Sequence, residues 1–174
     1  MQQQTVRQEP VSAGASLRFN GIGKSFPGVQ ALADISFVAH PGQVHALMGE
    51  NGAGKSTLLK ILGGAYVPSS GHLQIGEQSL TFKSTAESIA SRVAVIHQEL
   101  HLVPEMTVAE NLFLGHLPAR FGLINRSALR QNALELLKGL ADEIDPQEKV
   151  ARLSLGQRQL VEIAKALSRG AHVI

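Results

Sequence analysis

Cysteine and tryptophan are absent from the sequence, and tyrosine occurs once beside six phenylalanines. Without cysteine there are no disulfides and no thiolate metal sites, which fits a reducing compartment. Long apolar runs are missing as well. Nowhere do about 18 apolar residues follow one another, so no segment reads as a membrane-spanning helix, and no signal-peptide core is visible near Met1. Charge of one sign is scarce. The formal net charge is only +2 and Lys and Arg form no dense stripe, which argues against nucleic acid as a partner. What remains is a chain of 174 residues, 44% hydrophobic, sufficient for one domain with its own core.

One loop organises that chain. Gly49-Glu50-Asn51-Gly52-Ala53-Gly54-Lys55-Ser56 fits G-x-x-x-x-G-K-[ST] at every fixed position, a match with odds of roughly 1 in 500 by chance at this length. Val44-His45-Ala46-Leu47-Met48 reads as a buried strand before it, and a helix is expected from Ser56 to about Gly63-Gly64, which is the order the motif needs. Glycines let the backbone curl until its N–H groups face one point, beside a helix N-terminus that favours anions. Lys55 can then reach β- and γ-phosphates, the Ser56 hydroxyl suits Mg²⁺, and Thr57 is a further donor toward an α-phosphate.

Along the rest of the chain, Met1–Ala15 is polar and reads as a loose leader. Ser16–Phe26 alternates loosely and is expected as an edge strand, with Ala33–Ala39 following it. The Phe26 ring, just ahead of the breaker pair Pro27-Gly28, is either ordinary packing or a surface for a base. Leu73–Ile75 and Leu80–Phe82 read as an antiparallel pair turning at Gly76, with a weak helix over Ser84–Ile89. Val93–Ile96 reads as a second buried strand ending at His97-Gln98-Glu99. Gln98 is there either a plain strand-end residue or one that faces a ligand crevice and holds Mg²⁺ or water.

Thr107 and Glu110 form a capping box for another helix. Asn125 caps the next, whose apolar face holds Leu129, Ala133, Leu136, Leu137 and Leu140. Asp142–Glu148 is an acidic loop. Ser154 and Gln157 form a second capping box ahead of a helix with Leu160, Ile163, Ala164 and Leu167 apolar, and with Arg158, Glu162, Lys165 and Arg169 polar. That helix start is either a plain cap or an anion site. Ala171–Ile174 looks like the opening of a buried strand, so a longer domain is expected than the residues given.

Taken together, G-E-N-G-A-G-K-S-T, V-I-H-Q-E and L-S-L-G-Q-R-Q resemble the Walker A, Q-loop and signature motifs of ABC-type ATPases, in that order. The stretches around G-I-G-K-S-F-P-G-V and Q-E-L-H-L-V-P-E-M-T-V-A-E-N are similar to the ATP-binding subunits of bacterial monosaccharide importers. The arabinose type is nearest, and ribose, xylose and galactose types share most of the pattern. The resemblance implies an α/β fold of the ABC-type P-loop NTPase class: a mixed sheet with N-terminal antiparallel strands, a helical signature subdomain, and a C-terminal part missing. In that scheme a partial nucleotide-binding domain spans 16–174, with its core over 16–98 and 170–174 and the helical subdomain over 99–169.

By the same resemblance ATP and Mg²⁺ are bound by Phe26, stacked on adenine, and by Gly49, Glu50, Asn51, Gly52, Ala53, Gly54, Lys55, Ser56 and Thr57. Gln98 senses Mg²⁺ and water, and Ser154, Leu155, Gly156 and Gln157 meet the ATP of an opposing domain. The implied partners are a second nucleotide-binding domain in the same polypeptide, a homodimer mate, membrane permease subunits and, indirectly, a periplasmic sugar-binding protein. The implied place is the cytoplasmic face of the bacterial inner membrane. Leu100, Leu102, Val103, Pro104 and Met106 either dock on the permease or pack inward. Two departures stand out: Leu155 replaces the family's usual glycine, and the acidic strand end and switch histidine would fall after Ile174. The 174 residues are therefore expected to bind ATP without turning it over. The alternatives are a soluble ABC-type ATPase without a permease, or a nucleotide-binding regulatory module.

Overall fold

The computed structural model describes residues 14–97, 99–120 and 122–174. Most of the expected leader, residues 1–13, and Gln98 lie outside the described residues. The chain divides into two compact units, one running up to Val95 and including His172–Ile174, the other Ile96–Ala171.

In the first unit, strands β1 (Leu17–Phe26), β2 (Val29–Ala39), β3 (Ser70–Ile75) and β4 (Gln78–Leu80) form an antiparallel sheet in the order β2-β1-β3-β4. β1 is thus an inner strand, not the expected edge. Its alternation reports a sheet with one polar face, where Asn20 Nδ2 donates to Gln74 Oε1 at 3.3 Å, and alternation carries no information about edges. A register shift between Phe19 and Ile22 brings both side chains to the buried face, and Gly21 supplies the positive φ of 59° at that bulge. β4 stops at Leu80. Phe82, expected in the strand, follows it and is buried in the core instead.

Helix α1 (Lys55–Leu62) buries Leu58, Ile61 and Leu62 in the same core. Helix α2 (Thr85–Ala90) is capped by Ser84, whose Oγ accepts the Glu87 N–H at 3.3 Å, and is tied to the end of α1 by Ser88 Oγ donating to Gly63 O at 2.9 Å.

Two expected buried strands come out differently. Val44–Met48 joins no ladder, and Val44 is 100% and Met48 89% exposed. A five-residue apolar run specifies a strand only when ladders flank it. Among the described residues no strand pairs with this one, so the run lies open. Of Val93–Ile96, only Val93 pairs, in a parallel bridge to Val173, and Ala94 N–H donates to Val173 O at 2.9 Å. That bridge gives the architecture its parallel component; of the run expected to open a buried strand only Val173 joins it, and Ile174 is exposed.

The second unit is helical: α3 (Val108–Leu112), α4 (Arg126–Leu137), a 3-10 turn (Val150–Arg152) and α5 (Leu155–Ser168). A small hairpin, β5 (Ala119–Arg120) with β6 (Leu123–Ile124), was not legible as strands. Leu129, Ala133 and Leu137 of α4 are buried as their spacing predicts, while Leu140 lies beyond the helix end. On α5 the expected face is only partly the buried one: Ala164 is buried and Leu160 packs against that core. Val161, Glu162, Ala164 and Ala166 are buried and Leu167 is exposed. Glu162 tolerates burial because it accepts the His101 N–H and lies 3.8 Å from Lys165, so the helix is free to turn its alanine-rich side inward.

Candidate functional site

The phosphate loop lies in the first unit and is shaped by its glycines and by Lys55. Gly52 and Gly54 both have φ of 87°, in the left-handed region. A Cβ on Gly54 would sit 2.6 Å from Leu32 Cδ2 and 2.7 Å from Ala31 O, so the loop passes β2 where only hydrogen fits. Ala53 N–H donates to Glu50 O at 3.2 Å, closing the turn. Lys55 Nζ donates to Gly49 O and Glu50 O, both at 2.6 Å, which folds its ammonium back over the loop.

Gly54 also stands at the N-cap of α1, so no side chain covers the first N–H groups of the helix. Ser56 is exposed and Thr57 half-buried beside them. Backbone donors without helix partners, one ammonium and two hydroxyls together make a donor set that fits a polyphosphate with its Mg²⁺. Gly49, Glu50 and Asn51 complete the loop and are exposed.

Phe26 ends β1 and meets Tyr66 edge to face, with ring centroids 5.3 Å apart and planes at 72°. Lys24 Nζ is 5.2 Å from the Phe26 centroid and 5.8 Å from that of Tyr66, and it donates to Val67 O at 2.7 Å. Lys60, on α1, lies 5.3 Å from the Tyr66 centroid, and Tyr66 N–H donates to Lys60 O at 3.1 Å. Tyr66 therefore connects Phe26 to the helix that begins at Lys55. Lys24, Lys60 and Tyr66 were missed in the sequence, although Tyr66 is the chain's single tyrosine. Rarity gave a signal there, but no spacing rule attached it to Phe26.

Ser154–Gln157 lies in the second unit. The capping box is reciprocal: Gln157 N–H donates to Ser154 Oγ at 3.3 Å and Ser154 N–H donates to Gln157 Oε1 at 2.9 Å. The Gln157 amide oxygen is thus engaged by its own cap, while the Ser154 hydroxyl proton and the N–H groups of Leu155 and Gly156 remain for a ligand. Leu155 is 67% exposed, and nothing lies within 4 Å of where a Gly156 Cβ would be.

The Thr107–Glu110 capping box is present as expected. Glu110 Oε2 accepts the Thr107 N–H at 2.9 Å and its hydroxyl at 3.0 Å. Of the apolar residues after Gln98, Leu102 packs on the second core and Met106 is half-buried, while Val103 and Pro104 are exposed. Asn111 and Glu162, both buried, were not singled out as polar anchors from the sequence. Among the described residues no group of three or more His, Asp or Glu side chains gathers to hold a metal ion. No helix there is long and apolar enough to cross a membrane.

The glycine loop, the helix it opens and the helical unit with its capped turn at Ser154 fit an ATP-binding cassette of the P-loop class. A family model described as ABC transporter matches residues 32–174, and the chain belongs to that family. Among curated proteins it is 85% identical over 169 residues to the arabinose import ATP-binding protein AraG of Pseudomonas fluorescens, covering 97% of this chain and 33% of that protein. The protein of the same name from Escherichia coli O6:H1 is 59% identical over 91% of this chain and 31% of its own. The chain spans about a third of the length of the curated relatives it matches. Among solved structures, a nucleotide-free ATP-binding cassette from an ABC transporter aligns with TM-score 0.77 at 28% identity, over 90% of this chain and 66% of that one. A dimeric cassette in a post-hydrolysis state, bound to ADP and Pi, aligns with TM-score 0.69 at 26% identity, over 89% and 70%.

Proposed function

We propose that this chain is a nucleotide-binding domain of a bacterial sugar importer, binding Mg-ATP at Gly49–Thr57 and presenting Ser154–Gln157 to the ATP of an opposing domain. The carrying observation is the phosphate loop itself, with its backbone curled by Gly52 and Gly54, an uncapped helix N-terminus and Lys55 folded over it. On binding, Lys55 exchanges the carbonyls of Gly49 and Glu50 for phosphate oxygens. The Ser56 hydroxyl and Gln98 hold Mg²⁺, which supplies charge neutralisation at the phosphates. Phe26, oriented by Tyr66, stacks on adenine. The names of the relatives support L-arabinose as the sugar moved by the intact protein, through separate permease subunits at the cytoplasmic face of the inner membrane. Its further partners are a second such domain and a periplasmic sugar-binding protein. Val103 and Pro104, exposed beyond the inward Leu102, are the side of that loop offered to the permease.

Hydrolysis needs an oriented base or water-holding group. Gln98 can hold a water through its amide but takes no proton, and no carboxylate base is assigned among the 174 residues, so our reading is that they bind ATP without turning it over. Titration with Mg-ATP tests the reading. Lys55→Ala loses a charge-assisted contact of roughly 1.5–3 kcal/mol, an affinity loss of about 10- to 150-fold. Superimposable titrations for the two proteins would end it. Steady phosphate release that disappears in Lys55→Ala would overturn the claim of binding without turnover.

A further inference from the structure

Residues 101–107 contain no helix or strand, yet their backbone is gripped by buried polar side chains. Glu162 Oε1 accepts the His101 N–H at 2.9 Å, and Lys165 Nζ donates to His101 O at 2.7 Å. The two charged groups are 3.8 Å apart and nearly buried. Asn111 is fully buried, at 0% exposure. Its Oδ1 accepts the Val103 N–H at 2.7 Å, and its Nδ2 donates to Val103 O and Thr107 O, both at 3.0 Å.

The grip continues toward the signature turn. Pro104 O accepts the Ala151 N–H at 2.9 Å and Met106 O accepts the Val150 N–H at 3.1 Å. Ala151 O in turn accepts from Arg158 Nη2 at 2.9 Å, and Leu153 O from Arg158 Nε at 3.0 Å. Leu153 immediately precedes Ser154. Helix α5 carries Arg158, Glu162 and Lys165, and it holds the loop through Glu162 and Lys165, about 12 to 16 Å along its axis from its own start at Ser154.

A buried ion pair is poorly explained by stability alone, because an apolar pair of similar volume often serves as well. A fully satisfied polar network does fix one geometry and resist others. We infer that Asn111, Arg158, Glu162 and Lys165 are positioning residues that join loop His101–Thr107 and the Ser154 turn into one mechanical unit. A displacement of the loop then arrives at Ser154 instead of being absorbed on the way. Its functional meaning rests on the reading of Ser154 as a nucleotide contact.

Amide-resolved hydrogen exchange on this chain, without nucleotide, tests the coupling. Lys165→Met is expected to speed exchange at His101, Val103, Ala151 and Gln157 at least about tenfold, with Leu129–Leu137 of α4 unchanged. Arg158→Lys keeps the charge but loses the fork between Ala151 and Leu153, and should speed Ala151 and Gln157 while His101 keeps its rate. In the double variant the effect at Gln157 falls short of the product of the single effects. Acceleration confined to His101 and Val103, a uniform rise that includes α4, or a full product in the double variant each overturns the inference. Should Lys165→Met fail to fold, Glu162→Gln replaces it: it ends the ion pair with Lys165 but keeps an acceptor for His101, so Val103, Ala151 and Gln157 are expected to speed while His101 changes less. Because no nucleotide is present, failure here leaves the ATP reading standing, and a failed ATP titration leaves the coupling standing.

Discussion

Residues 43–50 and 101–107 are both irregular and both rich in apolar side chains, and they are held in opposite ways. The first segment is exposed throughout, steadied by Lys55 on two of its carbonyls and by His45 stacked on Phe37 with centroids 5.4 Å apart. The second has its backbone bonded by Asn111, Glu162 and Lys165, and its Leu102 lies against a core. Apolar content therefore does not set which loop is ordered by its surroundings. Polar side chains reaching in from helices distant in sequence do, because each fixes a backbone group of the loop in one place.

The contrast breaks most directly at Asn111. Replacing it with leucine removes the three hydrogen bonds that its side chain makes to Val103 and Thr107, which costs about 1–3 kcal/mol. The matched change in the open loop, Val44→Thr, is expected to stay within about 0.5 kcal/mol. Denaturant or thermal unfolding followed by circular dichroism compares the two, and equal losses would erase the distinction.

Gly54→Ala sharpens the same comparison from the other side. Just past the open loop Gly54 is a rigid point, where φ is 87° and the missing Cβ leaves room for Leu32 and Ala31 O. Adding a methyl group forces a left-handed alanine against backbone, costing about 2 kcal/mol. Mg-ATP affinity should fall with it, since the N–H groups no longer converge. Unchanged affinity in a titration would mean that the loop shape is set by something other than this glycine.

How far each loop was legible follows from where its support comes from. The phosphate loop is written in contiguous residues, because glycines, Lys55 and Ser56 each have a local job and a fixed spacing. Both capping boxes were readable for the same reason, with donor and acceptor three residues apart. Asn111, Glu162 and Lys165 act on residues 101 and 103, up to 64 positions away, and no periodicity records that. The apolar face of α5 was read correctly at Leu160 and Ala164 and misjudged at Glu162 and Leu167, because a buried Glu162 contradicts binary patterning unless its partners are known. Val44–Met48 was read as a strand from composition, yet a strand is defined by ladder partners that the run itself does not encode. β1 showed its two faces in its alternation but not its place inside the sheet.

Phe26 offers a smaller effect, one that separates the base from the phosphates. Tyr66 and Lys24 lie against its ring, and the proposed adenine would use the remaining surface. Phe26→Ala is expected to weaken ATP binding about 2- to 10-fold, equivalent to a stacking contact of about 0.5–1.5 kcal/mol. Inorganic triphosphate should bind both proteins equally, because the phosphate loop is untouched. Calorimetric titration with the two ligands checks this, and an equal loss for both would mark Phe26 as packing for β1 alone.

The smallest effect belongs to Glu110 at the end of the well-held loop, and its sign is fixed by its partners. The Thr107 backbone N–H holds the Glu110 carboxyl below the ordinary glutamate range, with help from the Thr107 hydroxyl and the charge of Arg126. Partial burial pulls the other way. A carboxylate whose folded pKa is depressed contributes stability that is complete above its unfolded value of about 4.5. That contribution disappears as pH falls through the lower folded value, since the neutral acid is a weaker acceptor for Thr107 and no longer attracts Arg126. Glu110→Gln retains an amide oxygen for the Thr107 N–H and removes the titration. The variant should therefore be slightly less stable near neutrality and should lose stability less steeply on the acid side. Unfolding midpoints measured from pH 7 to pH 3 give both slopes. Parallel curves for the two proteins would show that the capping box at Thr107 contributes nothing that depends on charge.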